Sequence, residues 1–132
     1  MREILFRGKQ VDNSEWFYGY YFTSPAYIIL PAKEKSFAFT CAEVDPITVG
    51  QFTGLIDKNG KKIFEGDIVK GHFYYGFPCE RHRLIGTIKF VSPTFEVCGV
   101  KQYEGERQLL NASFEVIGSV CDNPEMLKSK VD

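Results

Sequence analysis

Short apolar runs, broken every few residues by glycine, proline or small polar residues, recur along the whole chain. Phe95-Glu96-Val97-Cys98-Gly99-Val100 alternates apolar and polar positions and predicts a strand. Leu84 to Val91 predicts its hairpin partner across the Ser92-Pro93-Thr94 turn, with the mid-strand Gly86 marking a bulge. Upstream, Glu3 to Gly8 predicts a first strand, Asp12-Asn13-Ser14 a turn, and Trp16 to Phe22 a second strand. The nearly unbroken aromatic run of that second strand implies burial on both faces or a partner on one. Tyr27 to Leu30 predicts a short strand ended by Pro31. Lys33-Glu34-Lys35-Ser36 then reads as a charged loop and Phe37 to Cys41 as another strand. Asp45 is placed to cap one helical turn with Pro46 at its first position. Strand character runs from Ile68 to about Tyr75 and breaks at Gly76-Phe77-Pro78. Cys79 to Arg83 then reads as an exposed loop at a hairpin tip, and Tyr103 to Arg107 as a polar loop. Leu109-Leu110 and Phe114 to Val120 supply the last strand, and Asp122-Asn123-Pro124-Glu125 starts a short helix.

The pattern is organised around Gln51 to Val69, QFTGLIDKNGKKIFEGDIV. In Asp57-Lys58-Asn59-Gly60 the aspartate accepts a backbone N–H, while Asn59 and Gly60 tolerate positive φ, which predicts a hairpin-like connection. Gly54 precedes it. Glu65-Gly66-Asp67 is a second turn: Gly66 takes a conformation closed to other residues, and Asp67 ties a nearby amide. The β-branched Ile68 and Val69 follow. The expected fold is mainly β: one compact, barrel-like antiparallel domain over residues 1–132. It opens with an N-terminal hairpin and ends in a short C-terminal helix, and an SH3-like barrel is one form it can take.

Composition sharpens this only in part. Phe 12, Tyr 7 and Trp 1 make the chain rich in aromatics, and Gly 12 with frequent turns favours β over helix. A formal net charge of -1 provides no chain-wide reason to bind nucleic acid or an anionic membrane. The N-terminus shows no apolar leader and no run approaches a membrane span, so a cytoplasmic protein is expected. In that compartment Cys41, Cys79, Cys98 and Cys121 read as free thiols.

The central stretch resembles the YopX family of small phage- and prophage-encoded proteins. The likeness extends to Met1-Arg2-Glu3-Ile4-Leu5-Phe6-Arg7-Gly8-Lys9 and to Trp16, Tyr18, Gly19 and Tyr20. It continues in Asp45 to Gly50, Phe114 to Gly118 and Asp122 to Leu127, and loosens over Ser24 to Ala42 and Gly71 to Gln108. The resemblance implies a compact, mainly β protein of mobile-element origin and carries no biochemical activity with it.

Candidate chemistry is sparse. Asp57, Asn59, Glu65 and Asp67 supply four oxygen-bearing side chains, but the glycine falls at the fourth position from Asp57 and Glu65 at the ninth, which is not a calcium-loop register. Their expected role is turn structure. His72, Cys79 and His82 include a C-x-x-H spacing without a second half-site, so no metal and no cofactor is expected. Trp16, Tyr18 and Tyr20 share one strand face and have the ring chemistry to stack bases; Arg81, His82 and Arg83 have the chemistry for phosphate contact and proton transfer. No nucleophile–base constellation or phosphate-cradling loop is visible, and no catalytic residue is assigned. The expected function is therefore a non-catalytic protein-interaction module acting on a host or phage protein, with no membrane role and with a homo-oligomer open. The alternative is a nucleic-acid-binding β-barrel protein with ribonuclease-like activity.

Overall fold

The computed structural model describes residues 3–23, 26–29 and 41–127, with backbone alone for 26–29 and 41. The predicted loop Lys33-Glu34-Lys35-Ser36 and the predicted strand residues Phe37 to Thr40 lie outside the described residues. The fold is mainly β and antiparallel, as expected, and divides into two compact units, residues 1–54 and 55–132.

The first unit holds β1 (Phe6–Lys9), β2 (Trp16–Thr23), β3 (Ala26–Ile29), β4 (Cys41–Glu43) and the start of β5 (Gly50–Ile56), in spatial order β4-β3-β2-β1-β5. β1 and β2 form the expected N-terminal hairpin, with Arg7 opposite Tyr18 and Lys9 opposite Trp16. Because directly opposed residues share a face, these four side chains stand on one side of the sheet. Phe6 and Tyr21 meet on the other, ring centroids 5.9 Å apart. Between β4 and β5 the chain makes one 3-10 turn, Pro46–Thr48, where the Asp45 carboxylate accepts the Ile47 N–H at 3.1 Å. The Asp45 cap and Pro46 first position are thus as the residue types require.

The second unit holds β6 (Lys62–Phe64), β7 (Asp67–Tyr75), β8 (Glu80–Val91), β9 (Thr94–Gly99), β10 (Arg107–Leu109) and β11 (Glu115–Ser119). Strands β7 to β11 form a sheet in the order β10-β9-β8-β7-β11. The compact antiparallel β fold is as expected; among the described residues its sheet does not close into the SH3-like barrel that is one form open to it. Among the described residues β10 and β11 end the sheet on opposite sides, so it stays open. β10 is only three residues long, too short to carry a ladder around to the far edge.

Ile63, Val69, Leu84, Ile88, Val97 and Phe114 make the core of this unit, with Phe73, Phe95, Tyr103, Leu110 and Val116 packed against it. Gly71 is required here: a Cβ in its place would stand 2.6 Å from the Phe114 ring and 2.8 Å from its Cα. The β8–β9 hairpin forms as predicted, with the turn one residue tighter: Val91 stands opposite Thr94.

Three local expectations are corrected. Gly86 makes no bulge; it lies in continuous register with Val69, and its missing Cβ leaves room for the Cys98 carbonyl, which would otherwise be 2.3 Å away. The register shift falls instead between Val116 and Gly118 of β11. Glu80 to Arg83 are not loop but the outer end of β8. The predicted C-terminal helix is, within the described residues, a single 3-10 turn, Pro124–Met126.

Candidate functional site

Two exposed surfaces carry binding chemistry, one in each unit. In the first, the outer face of β2 presents Trp16, Tyr18, Tyr20 and Phe22 at alternate positions. Trp16 is half-buried, with the Arg7 guanidinium 4.1 Å and the Lys9 ammonium 4.6 Å from its ring centroid. Such contacts hold the indole flat against its neighbours. Tyr18, Tyr20 and Phe22 remain exposed, Tyr20 by 48% and Phe22 by 54%. The three predicted residues do share a face, and Phe22 extends their row.

In the second unit, the β7–β8 hairpin continues past the core as a two-stranded arm. His72 pairs with Arg83, Phe73 with His82, Tyr74 with Arg81 and Tyr75 with Glu80. Alternation then sorts the arm into two faces. One carries Lys70, His72, Tyr74, Arg81 and Arg83. The other carries Phe73, Tyr75, Glu80 and His82. The predicted trio Arg81, His82 and Arg83 is therefore divided. His82 stacks on Phe73 at 5.3 Å and meets the edge of Tyr75 at 6.4 Å, away from both guanidinium groups. At the tip Phe77 is fully exposed, and Gly76 turns the chain at φ 102°.

The cationic face is organised around His72. Arg81 Nη2 lies 2.9 Å from His72 Nε2. A guanidinium is only ever the donor, so Nε2 accepts and the imidazole is neutral, with its proton on Nδ1. Desolvation, then the nearby charges of Arg81, Arg83, Lys58 and Lys70, hold its pKa below the ordinary 6.5. Glu115 is a counterweight, pairing with Lys58 and Lys70 at 3.5 Å each. Burial raises the Glu115 pKa, but Lys58, the Asn59 amide and Lys70 outweigh it and keep the carboxyl ionised below its usual range. The arm is anchored at its base: the His72 carbonyl accepts from Asn111 Nδ2 and from Ser113 Oγ, each at 3.0 Å.

The oxygen-rich central stretch serves the fold. Asp57 is buried, and its Oδ1 accepts the N–H groups of Asn59 and Lys61 while Oδ2 accepts that of Val116. Asn59 Nδ2 donates to Glu115 at 3.3 Å. The buried Asp67 accepts the Phe64 N–H at 2.8 Å across the Glu65-Gly66 turn. Gly54, Gly60 and Gly66 take φ of 93°, 82° and 90°, the region their type permits. Among the described residues no three His, Cys, Asp or Glu side chains gather as a metal-binding group. His72 and His82 point to opposite faces of the arm, with Cys79 at its tip. No helix among the described residues is long and apolar enough to cross a membrane.

The profile of the YopX protein family matches residues 5–128. The chain belongs to the YopX family. This stretch runs from β1 to the final 3-10 turn, through both units. Among solved structures, the chain is similar to the crystal structure of protein EF1440 from Enterococcus faecalis, at 19% identity and a TM-score of 0.51. That likeness covers 97% of this chain and 100% of the other, and it concerns the fold alone. No curated protein matches the chain.

Sequence reasoning passed over His72 and Tyr74 as partners of the arginines, and Lys58 and Lys70 with them. For His72, Tyr74 and Lys70 the signal was present: alternate positions of two adjacent strands bring them onto the face of Arg81 and Arg83 once Glu80 to Arg83 are read as strand. Lys58 comes from the distant Asp57 turn and carries no such local signal.

Proposed function

We propose that this YopX-family protein is a phage- or prophage-encoded, non-catalytic interaction module that acts on a host or phage protein in the host cytoplasm. The observation that supports the reading best is the row Tyr18, Tyr20 and Phe22, which leaves large rings exposed along one strand face of the first unit. Aromatic side chains of this kind are enriched at protein interfaces, where they bury much area at low entropic cost. Trp16, clamped by Arg7 and Lys9, stiffens one end of that row. The ribonuclease alternative draws no support from the arm, because His82 cannot converge with Arg81 and Arg83 on one phosphate from the opposite face.

The test is affinity capture from infected host cells with the wild-type chain and with Tyr20→Ser/Phe22→Ser. A protein retained by the first and lost by the second, with melting temperature unchanged, is the expected result. Identical capture by both chains would remove β2 as the docking face.

A further inference from the structure

The β7–β8 arm carries exposed cations, whereas those of the β2 face, Arg7 and Lys9, lie against the Trp16 ring. Arg81 and Arg83 recur on one face of one strand, about 6.6–6.8 Å apart by strand geometry. Tyr74, 69% exposed, stands directly opposite Arg81 on the same face. Lys70 continues the line toward the base, where Glu115 pairs with it at 3.5 Å on the same face, and Phe77 projects from the tip. Among the described residues neither Arg81 nor Arg83 meets a carboxylate, and Glu80 stands on the opposite face. The chain as a whole is slightly acidic, so this is local segregation of charge.

We propose that the cationic face of the β7–β8 hairpin binds single-stranded nucleic acid, its backbone following Lys70, Arg83 and Arg81 and a base stacking on Tyr74. Sequence-tolerant recognition of a single strand needs both a cationic track and exposed rings, and this face interleaves the two. An acidic peptide would use the cations and leave the rings of Tyr74 and Phe77 without a role. An anionic membrane would meet the arm end-on, which drives the exposed Glu80 beside the tip into the headgroup charge. His72 adds a planar neutral ring whose position Arg81 sets. Guanidinium groups also suit phosphate better than ammonium groups do, because they donate in a fork. The surface belongs to the second unit and stands independently of the β2 reading.

The experiment titrates the full chain into a fluorescein-labelled, mixed-sequence single-stranded DNA of about 15 nucleotides, read by anisotropy across a salt series. Three cations on the backbone give a log–log salt slope of about −2, at about −0.7 per contact. Arg81→Gln/Arg83→Gln should flatten that slope by about 1.4 and weaken binding at least tenfold. Tyr74→Ala should weaken it about tenfold with the slope unchanged. Tyr75→Ala, on the opposite face, should bind as wild type. Melting curves of all variants should coincide, since every substituted side chain is exposed. No binding at low salt overturns the proposal. So does loss of affinity in the arginine variant without any loss in Tyr74→Ala, which would reduce the effect to charge adsorption. Tighter binding to a duplex of the same length, to polyglutamate or to phosphatidylserine vesicles than to the single strand also overturns it. The Tyr20→Ser/Phe22→Ser chain should bind the oligonucleotide unchanged, which separates this failure from failure of the β2 docking face.

Discussion

The Oδ2 of Asp57 accepts the backbone N–H of Val116 at 3.0 Å, across 59 positions of sequence. The same carboxylate closes its own turn through Asn59 and Lys61, each at 2.9 Å. One buried side chain therefore makes the turn and fastens the strand β11 to it.

Removing that acceptor should be costly. Asp57→Ala leaves three backbone N–H groups without their charged partner, two of them in a tight turn. Hydrogen bonds to charged groups are worth more than neutral ones, so a loss of about 2–4 kcal/mol is expected. The midpoint of urea denaturation measures it, and an unchanged midpoint would show that water replaces the carboxylate.

Acid should undo the same contact. Desolvation raises the Asp57 pKa, but the three backbone donors and then Lys61 outweigh it, so the folded value lies below the ordinary 3.8. The stabilisation is complete above the unfolded value, about 3.9, and is lost as pH falls through the folded one. Stability of the wild type should therefore drop below about pH 4. Asp57→Asn should show a shallower acid limb, because its amide does not titrate. Parallel limbs for the two proteins would assign the acid sensitivity elsewhere.

Gly60 is a case of backbone alone. Its φ is 82° and a Cβ there would meet nothing within 4 Å. Gly60→Val should cost about 1–3 kcal/mol, because a β-branched residue is strained in the left-handed region. A melting temperature equal to wild type would mean that the turn changes type to accept it.

Gly71 is the opposite case, a matter of space. Gly71→Ala places a methyl against both the ring and the Cα of Phe114. Overpacking of this kind costs about 1–3 kcal/mol. Shrinking the ring with Phe114→Leu should not restore stability, since the clash with the Cα remains. Recovery in the double variant would show that the ring alone sets the spacing.

Much of this could be seen in the residues. The β8–β9 hairpin announces itself by alternation around Ser92-Pro93-Thr94, and the turns at Asp57 and Asp67 by side chains that bind their own backbone. What stayed hidden has a common physical cause. Of Glu80 to Arg83 in the outer arm only His82 is half-buried, against Phe73, so the stretch lacks the inward apolar residues that mark a half-buried strand. Read as loop, Arg81, His82 and Arg83 seem to form one group; as strand they part by period two. β10 gives three residues too few for any period to show. The bond from Asp57 to Val116, and whether the sheet closes, depend on which distant strand arrives, which no local pattern encodes.

A protein that displays a projecting arm must also avoid adhering to its own copies through the open sides of its sheet. β10 meets that demand by brevity. Its Arg107 is held by Glu96 through both Nε and Nη2 at 3.0 Å. Three residues of strand expose too little backbone to template an incoming strand. At this edge the row of unpaired backbone groups is cut short by length, and the Arg107–Glu96 pair sets charge beside it.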